Sequence, residues 1–190
     1  KYVKWDDKIA NITPDVETLV VVDGNVIFDN NFIPTKLKWI IVLKDNYDVM
    51  SGYAWEGNVY ITPNVTQINA IIYADGGIIS ADNSGNPYTQ DSIERTQSLK
   101  NQLIFNGSVF TRNTIGGAIL AGWSYILPGG TKTNDFNKAM IYDLNYIRRA
   151  NVGCDKNNNT YCNDTGEYKD PFVIKYDSRV QLSPPKLFEQ

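Results

Sequence analysis

Apolar runs broken at Asp-Gly or Asn-Gly recur along this chain. Residues 20–28 read VVVDGNVIF, 71–79 read IIYADGGII and 103–110 read LIFNGSVF. A looser copy has WIIVLKDN at 39–46, a polar insertion, then GNVYI at 57–61. The β-branched and aromatic residues of each run favour a strand. Asp or Asn tolerates a left-handed conformation and bonds its own backbone, and Gly takes positive φ without steric cost. The pattern therefore predicts short strands joined by sharp corners.

Two all-β architectures produce this phrase, and they differ in which strands pair. Asp-Gly between apolar runs is the usual mark of an antiparallel hairpin, as in a sandwich. In a solenoid the same residues turn between two faces of one coil, and equivalent strands of successive coils stack in parallel about 4.8 Å apart. The second strands begin near Gly24, Gly57, Gly76 and Gly107, at separations of 33, 19 and 31. Those intervals fit coils of roughly twenty residues in which two coils carry insertions. Residues 46–56 and 81–100 are polar enough to be those insertions. The expected fold is thus all-β: a right-handed parallel β-solenoid (β-helix) forming a single domain over 1–190, with coils over 18–127.

One segment has helical rather than strand periodicity. Phe136, Met140, Leu144 and Ile147 share a face at spacings of 4, 4 and 3, predicting a helix over 135–150. Asn134 is placed to cap it, Arg148 and Arg149 to sit at its negative end, and Gly153 to stop it. Laid over the last coil, such a helix would protect an open sheet edge. Residues 151–190 then form a cysteine loop and an extended tail, with FVIKYDSRVQL at 172–182 ending at Pro184 and Pro185.

Composition narrows the function classes. A net charge of −3 lacks the basic excess that phosphate neutralisation demands, so nucleic acid is not an expected partner. Histidine is absent, which removes the commonest general base and the commonest nitrogen ligand for zinc. Asn at 21 positions favours turns. No stretch nears the roughly 18–20 apolar residues of a membrane helix. The longest candidate, 115–127, is broken by Gly116, Gly117, Gly122 and Ser124 and reads as a buried strand pair. The chain starts at Lys1 with no basic-then-apolar leader, as expected of a processed or excised segment of a longer protein.

Cys154 and Cys162 flank an Asn-rich loop, and in an oxidising compartment a disulfide between them would contribute about 2–3 kcal/mol. Two buried thiols are the alternative. Inside the loop Asp155, Asn157 and Asn159 alternate as the first calcium ligands of a cation loop do, followed by Tyr161, Asn163, Asp164 and Glu167. Thr160 stands where such a loop wants Gly, and Gly166 where it wants an acid, so a structural calcium site competes with an ordinary Asn-rich turn. Tyr47, Tyr53, Trp55 and Tyr88 in the insertions could stack on sugar rings or anchor a protein; equally, they could fold back on the coil. The acids are scattered, and corner residues such as Asp23 and Asp75 more often satisfy turn amides than form the carboxylate pair of a glycosidase.

The segments GNVYITPNVTQINAIIYADGGIIS, NQLIFNGSVFTRNTIGG and VIKYDSRVQLSPPKLF, taken in order, resemble surface proteins of candidate-phylum bacteria. The last is also similar to the ending of pilus-associated solenoid proteins. The resemblance covers residues 18–190; it implies extracellular display on a β-solenoid and carries over no catalytic residues. The expectation is a secreted or cell-surface structural or adhesive scaffold domain without catalytic activity, whose partner is a surface glycan or protein. A carbohydrate-binding or polysaccharide-degrading β-helix is the alternative.

Overall fold

The computed structural model describes residues 2–5, 18–22, 24–43, 57–88, 98–115, 125–126, 132–148 and 171–177. The chain passes through β1 (Tyr2–Trp5), β2 (Thr18–Val22), β3 (Asn25–Phe28), β4 (Lys38–Leu43), β5 (Val59–Ile61), β6 (Gln67–Ala74), β7 (Ile78–Ser80) and β8 (Leu103–Thr111). β9 (Tyr125–Ile126), β10 (Lys132–Thr133), α1 (Phe136–Ile141), a 3₁₀ turn (Leu144–Tyr146) and β11 (Phe172–Lys175) follow. Strands alternate between two parallel sheets, ordered β1-β3-β5-β7 and β11-β8-β6-β4-β2. A further antiparallel pair joins β9 to β10.

The Asp-Gly corners are not hairpins. Val20–Val22 pairs with Ile41–Leu43, and Val26–Phe28 with Val59–Ile61, both in parallel. Each corner therefore carries the chain from one sheet to the other. The corners stack on one another through their own backbone: Gly57 N donates to Gly24 O (2.8 Å) and Gly76 N to Gly57 O (2.9 Å). Asparagines reinforce the stack, since Asn58 N donates to Asn25 Oδ1 (2.9 Å) and Gly77 N to Asn58 Oδ1 (2.8 Å). Gly76 has to be glycine, because a Cβ there would lie 2.2 Å from Asn58 Oδ1. Asn58→Ala leaves the buried Gly77 amide without its acceptor and is expected to lose about 1–2 kcal/mol. An unchanged urea midpoint would contradict the Asn stack.

The core lies between the sheets. Val26, Phe28, Val59, Ile61 and Ile78 from one sheet meet Ile40, Val42, Ile68, Ile72, Leu103 and Phe105 from the other. Burying each of these side chains contributes about 1.5–3 kcal/mol. The outer face of the four-stranded sheet is covered as well: Ile27, Tyr60 and Ile79 pack with Ala139, Met140 and Tyr142, and Phe136 lies against the same group.

Two expectations need correction. LIFNGSVF is not a corner but part of one continuous strand, β8, in which Asn106 and Gly107 pair with Asn69 and Ala70 of β6. The corner stacked on Gly76 is Arg112, whose N–H donates to Gly76 O (3.1 Å). The helix covers only Phe136–Ile141, capped by Asp135 rather than Asn134, with Asp135 Oδ1 accepting from Asn137 N and Lys138 N. Tertiary pairing ends it: Thr114 N donates to Tyr142 O and Leu144 N to Thr114 O, so the chain leaves the helix to bridge alongside Thr114. Its apolar face divides accordingly, with Met140 outside the four-stranded sheet and Ile147 in the core between the sheets. Of 115–127, read as a buried strand pair, residues 116–124 and 127 lie outside the described residues. Ile115 is 78% exposed, and Tyr125–Ile126 pairs with β10.

Where the four-stranded sheet ends, at β7, the sequence changes to receive segment 142–148. The Asn25 and Asn58 positions continue as Gly77, where a Cβ would sit 2.8 Å from the Tyr142 ring. The Phe28 and Ile61 positions continue as Ser80. Ser80 donates its hydroxyl to Ile147 O and accepts from the fully buried Arg148. The Arg148 guanidinium also donates to Thr62 O and Val65 O, each at 2.9 Å. Asn113 completes the edge, accepting from Ile78 N (2.7 Å) and donating to Ile78 O (2.9 Å) as a neighbouring strand would.

Candidate functional site

Period-2 alternation and parallel register decide what the five-stranded sheet presents on its outer face. Leu19, Ile40, Ile72 and Val109 form one register row and point into the core. The adjacent row, Val20, Ile41, Tyr73 and Phe110, points away from it. Every member of that outward row is apolar or aromatic. Val20 is 45% exposed, Tyr73 41% and Phe110 53%, and Ile41 is half-buried. The strands are apolar on both faces, yet only one of those faces is packed into the core.

The row is bounded on both sides. On one side lies Trp39, Ile71 and Ser108, with Ile71 fully buried. On the other lie Val22, 55% exposed, and half-buried Leu43 on β2 and β4, continued across β6 and β8 by the corner of Asp75 and Arg112. Tyr73 Oη donates to Asp75 Oδ1 (3.0 Å). That hydrogen bond, then the negative charge of Asp75, then burial raise the Tyr73 phenol above its ordinary value, against the opposing effect of Arg112. The same hydrogen bond orients the Tyr73 ring. Further along the same face an amide group gathers on Asn69, whose Oδ1 accepts from Gln67 Nε2 (2.9 Å) and Asn106 Nδ2 (2.7 Å).

Of the candidate site residues singled out from the sequence, only Tyr88 is described, and it is not part of this face. Tyr88 lies on the other sheet: its N–H donates to Ser80 O (3.1 Å) beyond a tight turn in which Asp82 accepts from Ser84 N and Asn86 N. Tyr53 and Trp55 lie outside the described residues, as do Cys154, Cys162 and the loop residues Asp155, Asn157, Asn159, Tyr161, Asn163, Asp164 and Glu167. Among the described residues, no three Asp, Glu, Cys or His side chains gather where they could hold a metal ion, and no helix is long and apolar enough to cross a membrane. The row itself escaped sequence reading because its members come from four separate strands. A usable signal was there, though: KWIIVL and QINAIIYA are apolar at both odd and even positions, which requires two covered faces or one face left to bind.

No protein-family model, curated protein or solved structure matches the chain.

Proposed function

We propose that the chain is a non-catalytic structural or adhesive module displayed at a cell surface or secreted, built as a right-handed parallel β-solenoid closed at one end by residues 136–148. The alternation of consecutive strands between two parallel sheets supports the solenoid, with each pair from β2 to β7 acting as one coil. The changes at Gly77 and Ser80, which admit Tyr142 and Arg148, support the cap. The location is the one the sequence resemblance would imply, and a Cys154–Cys162 disulfide with a calcium-binding Asn-rich loop belongs to the same reading.

One observation carries the adhesive role. The outer face of the four-stranded sheet is packed under α1, whereas the outer face of the five-stranded sheet keeps the row Val20, Ile41, Tyr73 and Phe110 partly open to solvent. An apolar row in which Val20, Tyr73 and Phe110 stay 41–53% exposed fits a binding surface. The test uses the whole chain immobilised on beads and scored for retention on bacterial and host cell surfaces. A Val20→Lys, Phe110→Lys double variant, with its melting temperature checked, is expected to abolish retention. Equal retention by the variant would overturn this reading, and so would release of reducing sugar from acidic polysaccharides by the unaltered chain.

A further inference from the structure

From the same face, and resting on the reading that it is the binding surface, we infer that the row Val20, Ile41, Tyr73 and Phe110 takes an uncharged, extended saccharide chain lying along the direction in which the strands stack.

Four parallel strands at about 4.8 Å give a strip about 14 Å long. Buried Ile71 ends the open surface on one side; on the other the Asp75–Arg112 corner limits it across β6 and β8, while exposed Val22 and half-buried Leu43 widen it across β2 and β4. Even with Val22 and Leu43 included, such a strip offers on the order of 300 Å², well below the roughly 800 Å² per partner of a specific protein interface. A second copy of this chain or a folded protein would need contacts well beyond the row. A linear polymer needs only a track of this width.

Tyr73 and Phe110 are directly opposed on neighbouring strands, both about half exposed, and among the described residues neither ring stacks on another. Open ring faces suit the C–H faces of pyranose rings, and a polar handle at the edge suits their hydroxyls. Tyr73 Oη, Asp75 and Arg112 supply that handle, with both donors and acceptors. The carboxylate and guanidinium carry opposite charges beside the same row, so neither an anionic nor a cationic polymer is complementary to it. Hydroxyls can meet both.

The experiment titrates the full chain with cellohexaose, chitohexaose and mannohexaose, and with a galacturonic acid hexamer as the charged comparison, followed by NMR and calorimetry. At least one uncharged hexamer is expected to bind and to shift the ring signals of Tyr73 and Phe110. Tyr73→Ala and Phe110→Ala should each weaken binding ten-fold or more at an unchanged melting temperature, while Phe110→Tyr keeps it. No binding of any uncharged hexamer, tighter binding of the galacturonic acid hexamer, or shifts confined to other faces would overturn the inference. If the hexamers fail while the Val20→Lys, Phe110→Lys variant still loses cell-surface retention, the face remains a binding surface and only the saccharide assignment falls. If retention is unaffected too, both fall.

Discussion

Replacing Arg148 with Ala is expected to cost about 3–5 kcal/mol and to lower the melting temperature by roughly 10 °C. The side chain is completely buried, and its two terminal nitrogens donate to Thr62 O, Val65 O, Ile147 O and Ser80 Oγ. These acceptors lie on the turn after β5, on the last strand of the four-stranded sheet and on the segment after the 3₁₀ turn, so one guanidinium ties three pieces of chain together. Truncation opens a cavity and leaves several buried acceptors without donors at once. Arg148→Lys should recover less than half of the loss, because a single ammonium cannot span acceptors served by two separate nitrogens. Calorimetric melting decides the matter. An Ala variant that melts with the unaltered chain would mean that residues 142–148 do not close this end.

Gly107→Ala has the second largest expected effect, a loss of about 3 kcal/mol or more. Gly107 sits mid-strand at φ +149°, and an added Cβ would lie 1.9 Å from Ala70 O. A backbone oxygen cannot rotate away as a side chain could, so β6 and β8 would have to separate where their paired stretch is longest. Ala70→Gly should fail to rescue the variant, since the clash is with the peptide rather than the Ala70 methyl. A Gly107→Ala protein of unchanged urea midpoint would contradict the pairing of Ala70 with Gly107.

Parallel β structure was legible in the sequence because corner residues advertise themselves. Gly24, Gly57 and Gly76 fall in one column and bond to each other as spaced repeats should. Gly107 shows the limit of that logic. Asn-Gly suits a corner, but it equally suits a close approach between two strands, and only the neighbouring strand distinguishes them. The helix was half legible for a related reason. Its periodicity correctly marked Phe136, Met140, Leu144 and Ile147 as apolar anchors, yet local spacing could not register that Thr114 would capture the backbone at Tyr142 and Leu144. Arg148, read as a helix-end charge, is the clearest case of tertiary structure deciding a residue's role.

The candidate face was the least legible part. Aromatic residues in polar insertions drew attention because they stand out from their neighbours in sequence. Tyr73 and Phe110 do not, being embedded in apolar strands where a core role is the natural reading. Only the register sets them opposite each other and on the outward side. Their function depends on a property of pairing, which no single strand carries.

The claim on which both the fold and the face rest is that parallel stacking brings Val20, Ile41, Tyr73 and Phe110 into one row. Nitroxide labels on Val20→Cys and Phe110→Cys, introduced into a chain whose Cys154 and Cys162 are replaced by Ser, test it through dipolar broadening in frozen solution. Three strand spacings separate the two backbones by about 14 Å, so the account predicts strong broadening that disappears when either label is omitted. A doubly labelled spectrum equal to the sum of the singly labelled ones would contradict it.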